Sequence, residues 1–134
     1  MKSANVSLVF AAGVVLITAS GASAAGDIAK GERLAKNKCV VCHTMQKGGG
    51  ARLGPNLFNV LGRRAGSVES YKYSKAMTSS GIVWDEAAFI EFLTKPSKFV
   101  KGTKMSFAGL KKPADRAAVI AYLRSLSAAP KPLP

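Results

Sequence analysis

The sequence predicts an all-α chain, and three observations carry that expectation. Apolar residues recur at helical spacing in separate stretches, and no strand-like alternation of useful length occurs. Proline and most of the glycine fall between those stretches, where turns and loops are needed. Three main helices with shorter helices and long loops are therefore expected.

Taken in order, Asp27 is a candidate N-cap, and Ile28, Gly31, Leu34 and Ala35 repeat at helical spacing up to Lys38. This first helix leads into Cys39. Gly48-Gly49-Gly50 breaks the chain, and Gly54-Pro55, Gly62 and Gly66 mark a long loop with tight turns. Ser74 caps a short helix expected to end near Gly81. Asp85 caps a better one, with Phe89, Ile90 and Leu93 on one face, and Pro96 is read as its stop. A lysine-rich loop containing Gly102 and Gly109 follows. Pro113 at a first helical position and Asp115 in the first turn open a last helix, whose Val119, Tyr122, Leu123 and Leu126 share a face.

The ends differ from the middle. Met1-Lys2 is basic, Val6 to Ile17 is almost wholly apolar, and Ala22-Ser23-Ala24 has the small-x-small pattern of a processing site. Residues 1–24 read as a signal peptide and place the protein in the periplasm, with an uncleaved membrane anchor as the alternative. Residues 25–127 form one small domain, and 128–134 a proline-rich, disordered tail. Of the 134 residues, 20 are Lys or Arg and seven Asp or Glu, for a net charge of +13, of which the leader carries only Lys2. Such a charge favours acidic partners. Export argues against nucleic acid, and a monomer is expected.

The two cysteines and the one histidine of the chain all fall in Cys39-Val40-Val41-Cys42-His43. C-x-x-C-H is the attachment signature of haem c: two thiols at this spacing reach the two vinyl groups on one porphyrin edge, and the adjacent imidazole binds the iron. A structural zinc site lacks its other ligands, and a thioredoxin-like pair lacks the strand–helix–strand setting. A simple disulfide leaves His43 without a role. For the second axial position the residues leave Met77, Met105, a lysine or water open. Met45 is too close to His43 to cross the haem, Met77 sits in a short helix, and Met105 lies in the non-helical run Lys101 to Phe107.

Around Cys39-Val40-Val41-Cys42-His43, the motifs Gly54-Pro55-Asn56-Leu57, Gly62-Arg63, Gly81-Ile82-Val83-Trp84, Gly102-Thr103-Lys104-Met105 and Phe107-Ala108-Gly109 follow in order. From about Gly26 to Leu126 the chain resembles class I cytochrome c, close to the mitochondrial form and its soluble bacterial relatives. That resemblance implies the cytochrome c fold, with helices and loops wrapped around one covalently attached haem c. It implies Met105 as distal ligand opposite His43, and the Pro55 carbonyl bonded to the other imidazole nitrogen. Arg63, Tyr73 and Trp84 would hold the propionates with help from Ser74 and Thr103, while Gly31 and Ala35 would meet Val119 and Tyr122 at a helix crossing.

The implied activity is one-electron carriage and not catalysis; a small peroxidase and a haem sensor are the alternatives. Partners would be acidic surfaces of a cytochrome bc complex, a terminal oxidase, a photosynthetic reaction centre or a periplasmic dehydrogenase. Docking would use Arg33, Lys38, Arg52, Lys98, Lys101, Lys104, Lys111 and Lys112. The chain departs from the pattern twice: Phe92 stands where many relatives carry a buried Tyr, and Met77 where they carry Asn. Both changes remove hydrogen-bonding groups, so a drier distal side is expected.

Overall fold

The computed structural model describes residues 27–129. The expectations for residues 1–24 and for most of the proline-rich tail lie outside them. The elements are α1 (Ile28–Lys38), α2 (Lys75–Thr78), α3 (Glu86–Thr94), α4 (Pro96–Phe99) and α5 (Pro113–Ser125). Among the described residues the only strand-like feature is one isolated antiparallel bridge between Arg64 and Val83.

Local chemistry sets most of the boundaries. The Asp27 carboxylate accepts from the Lys30 amide at 2.9 Å, the Ser74 hydroxyl from the Met77 amide at 3.1 Å, and the Asp85 carboxylate from the Ala88 amide at 2.8 Å. Each satisfies a donor that the first helical turn leaves unpaired. The helix after Ser74 is shorter than expected, a single turn ending at Thr78. Hydroxyls end it: Thr78 and Ser79 donate to the Lys75 carbonyl at 3.1 and 2.6 Å, and Ser80 donates to the Met77 carbonyl at 2.8 Å. Pro96 does stop α3, but it also takes a first-turn position of α4, where its missing N–H costs nothing.

The helix pair α1 and α5 packs most extensively. Ala35 and Val119 are sealed between them, at 0% and 1% exposure. The close approach depends on Gly31: a Cβ there would run into the Ala118 carbonyl oxygen and lie 2.8 Å from the Tyr122 Cβ. The expected crossing is thus present, with Ala118 as a further contact. Lys30 and Asp115 close its edge with an ion pair at 2.7 Å, which holds the Asp115 carboxyl below its ordinary value. At the other end of α5 the Asn59 amide donates to the Leu126 carbonyl at 2.6 Å. This crossing fixes one wall of the core, and the loops between α1 and α5 supply the others.

Gly→Ala in a helix ordinarily stabilises by about 1 kcal/mol. At Gly31 the sign should reverse. Gly31→Ala is expected to lower the stability of the haem-loaded protein by about 1–3 kcal/mol through overpacking, whereas Asn37→Ala on the exposed side of α1 leaves it unchanged or raised. Denaturant midpoints of the two variants decide it.

Candidate haem site

A cavity of about 770 Å³ opens beside the start of the Cys39 motif. Its size is within the roughly 300–1,000 Å³ usual for cofactor and ligand sites. Apolar side chains from α3, α5 and the loops make most of its wall, among them Leu57, Phe89, Leu93, Phe107 and Leu123. Every residue singled out from the sequence for the haem lines it: Cys39, Cys42, His43, Pro55, Arg63, Tyr73, Ser74, Trp84, Thr103 and Met105.

Cys39 ends α1, its amide bonded to the Ala35 carbonyl at 2.8 Å, and the next turn brings the His43 amide to the Cys39 carbonyl at 2.8 Å. Both thiols are free, so the disulfide reading fails. Burial, and then the neighbouring Cys42, pushes the Cys39 thiol up to about 11. A redox pair of the thioredoxin kind activates its first cysteine by a depressed pKa, and the shift at Cys39 runs the other way.

His43 is held firmly. Its Nδ1 lies 2.7 Å from the Pro55 carbonyl oxygen, which can only accept, so Nδ1 carries the proton and Nε2 keeps its lone pair. Burial lowers the imidazole pKa against the opposing pull of the Pro55 bond, which favours the neutral, ligating form. Gly54 leaves the ring its room: a Cβ there would collide with Cε1 and lie 2.7 Å from Nδ1.

A second group of polar residues borders the same cavity. Arg63 is half-buried and makes no ion pair among the described residues; its Nη2 donates to the Asn56 carbonyl at 2.9 Å and its Nη1 to the Phe58 carbonyl at 3.3 Å. Burial works against its charge. Two further N–H groups and Nε–H remain for an anion. Burial also raises the Tyr73 phenol, keeping it a neutral donor. The Ser74 hydroxyl accepts from the Met77 amide and the Thr103 hydroxyl from the Met105 amide, at 3.1 and 3.2 Å. Each keeps its own proton to donate. Trp84 packs against Phe89 and Phe92 with ring separations of 5.0 and 4.8 Å.

These features fit a haem: an apolar cavity, a neutral imidazole and a thioether reaching it from separate segments, two free thiols beside the imidazole, and a half-buried guanidinium without a carboxylate. Met77 and Phe92 line the same cavity and are 7% and 5% exposed, so both family departures bear on its interior.

All eight expected docking residues are exposed, but only Lys38, Arg52 and Lys104 border the cavity. Arg33, Lys98, Lys101, Lys111 and Lys112 do not. Sequence reasoning missed Tyr71 and Lys72, which lie in an unbroken wall running from Ser70 to Ser74. The one available signal was a pair of tyrosines two residues apart.

A family model for cytochrome c matches residues 28–127. The chain is 47% identical over 104 residues to cytochrome c of Chlamydomonas reinhardtii, covering 78% of this chain and 93% of that one. It is 52% identical over 102 residues to cytochrome c of Theileria annulata (76% and 88%), and 48% identical over 101 residues to that of Gibberella zeae (75% and 95%). These relatives correct the expected location. They belong to eukaryotes, which have no periplasm, and the periplasmic assignment is withdrawn. It rested on residues 1–24 alone, where a basic start and an apolar run record a physical type of segment and not a compartment. No helix among the described residues is long and apolar enough to cross a membrane.

With Phe92 and Met77 in place of hydrogen-bonding side chains, that part of the wall offers a water fewer than the two to four polar partners it needs. A high-resolution crystal structure of the haem-loaded protein is expected to show no ordered water bonded beside Phe92 and Met77. One found there would refute the drier distal side.

Proposed function

The chain belongs to the cytochrome c family and is a monohaem electron carrier with one covalently attached haem c, and from that premise we propose a mobile carrier with His43 and Met105 as its axial ligands. The observation that carries the reading is that these two side chains reach one cavity from separate segments, His43 backed by Pro55 and Met105 tied to Thr103. When bound, the haem supplies reversible one-electron exchange between Fe(III) and Fe(II).

Cys39 and Cys42 would hold the group covalently, and His43 would present Nε2 while Pro55 keeps the other nitrogen protonated. The Met105 thioether would fill the remaining position and favour the ferrous state. With both positions taken by protein, substrate has no place to bind, which favours carriage over the peroxidase and sensor readings. Arg63, Tyr73, Ser74, Trp84 and Thr103 would supply donors to the propionates, whose burial needs such partners. Arg63 is the strongest of them, since an anion there would also satisfy a half-buried cation.

Partners would meet the cavity mouth. Leu53 borders it at 77% exposure, Val41, next to the cavity-lining Cys42 in sequence, is 64% exposed, and basic Arg52 and Lys38 border the cavity too. A small apolar centre with a cationic rim suits brief docking to acidic redox proteins such as a cytochrome bc complex and a terminal oxidase.

Two experiments test this. In visible spectra of the oxidised protein, Met105→Ala should abolish the Met-to-ferric-iron band and Met77→Ala should keep it; the reverse pattern would move the ligand to Met77. Turnover with an oxidase should fall as ionic strength rises, because steering between exposed charges is screened over about 10 Å at 0.1 M salt. Salt-independent turnover would remove the electrostatic docking.

A further inference from the structure

The segment that carries Met105 has few polar ties of its own. Among the described residues, no main-chain hydrogen bond joins residues 104–109 to one another or to another segment. The Met105 amide reaches only the Thr103 hydroxyl, within the same loop. At the far end, the Leu110 amide donates to the Leu93 carbonyl at 2.7 Å, and Arg116 Nη1 donates to the Leu110 carbonyl at 2.6 Å. The near end has one polar link to a distant part of the chain: Lys104 Nζ donates to the Lys72 carbonyl at 2.7 Å.

That link belongs to a larger bracket. The Lys104 ammonium also lies 5.8 Å from the ring centroid of Tyr71, a distance at which a cation is attracted to the ring face. Tyr71 is itself fixed: its hydroxyl donates to the Leu53 carbonyl at 2.9 Å, and its ring meets Tyr73 edge-on at 4.8 Å. Three segments that border the cavity are thereby joined, the one around Leu53, the wall from Ser70 to Ser74, and the Met105 loop.

We propose that Lys104 and Tyr71 are positioning residues, holding the Met105 segment against the wall at 70–73 so that the thioether is presented to the cavity and resists displacement. The proposal rests on Met105 being the axial ligand. Lys104 is then less a docking charge than a tether, and Tyr71 is the plate on which it is held. The ammonium and not the aliphatic stem makes both contacts, so Arg can replace Lys here and an uncharged residue cannot.

The test is the affinity of the oxidised, haem-loaded protein for imidazole, a neutral ligand that must displace Met105, followed by loss of the Met-to-iron band. One lost hydrogen bond of ordinary strength corresponds to roughly a three- to tenfold change. Lys104→Ala is expected to tighten imidazole binding by that factor, Tyr71→Phe to tighten it less, and Lys104→Arg to restore it. Lys47→Ala removes an exposed charge that borders neither the cavity nor the Met105 segment and should change nothing. Matched denaturation midpoints separate local release from a general loss of stability, and Tyr71→Phe remains a test if Lys104→Ala folds poorly. Equal imidazole affinity in Lys104→Ala and Lys47→Ala, or no rescue by Arg, overturns the tether. A failure of the ligand assignment appears elsewhere, as a band that survives Met105→Ala in the otherwise unaltered protein.

Discussion

The structure is organised around a cavity that its own side chains do not fill. A domain of about a hundred residues has little apolar burial to spare, yet this one leaves about 770 Å³ bordered by Leu57, Phe89, Leu93, Phe107 and Leu123, side chains that would otherwise pack on one another. A large apolar prosthetic group completes such a core. Folding and function are then coupled, because the group that transfers the electron also supplies the contacts that the loops need. The covalent link through Cys39 and Cys42 follows from the same constraint: a core member on which stability depends is one that the chain benefits from never releasing.

Within that frame the surroundings of His43 and Met105, the two proposed axial ligands, are built differently. His43 sits in a rigid setting, with the Cys39 turn below it, the Pro55 carbonyl on one nitrogen, and Gly54 so close that no side chain could be added without moving the ring. Met105 sits in a segment without main-chain ladder bonds, fixed at its ends and by side chains. The His43 side is set by backbone geometry and the Met105 side by side-chain bonds.

What the sequence made legible was local. Asp27, Ser74 and Asp85 cap helices because a side-chain oxygen reaches an amide only three residues away, so the donor and acceptor are both visible in a short window. The haem motif was legible for the same reason, with three functional groups in five consecutive residues. The bracket was not. Tyr71 and Lys104 donate to carbonyls 18 and 32 residues away, and every residue has a carbonyl, so nothing in the sequence marks Leu53 or Lys72 as the acceptor. The length of α2 was misjudged because three hydroxylic residues in succession close the helix themselves, before the glycine that appeared to end it. The location was misread because residues 1–24 were asked for a compartment that they do not specify.

The basic surface also divides in a way that net charge hides. Lys104, Arg52 and Lys38 all border the cavity mouth and count equally toward +13. Lys104 donates to the Lys72 carbonyl and Arg52 to the Val40 carbonyl at 2.8 Å, so each also ties chain segments together. A partner's carboxylate that recruited either cation fully would compete with a bond that shapes the mouth. Lys38, at the end of α1, makes no such bond among the described residues and can follow a partner without cost to the fold. Long-range attraction draws on all the charges together, but close contact should draw on those free to move. The same positive rim would thus steer an encounter and still release it, as the proposed mobile carrier requires.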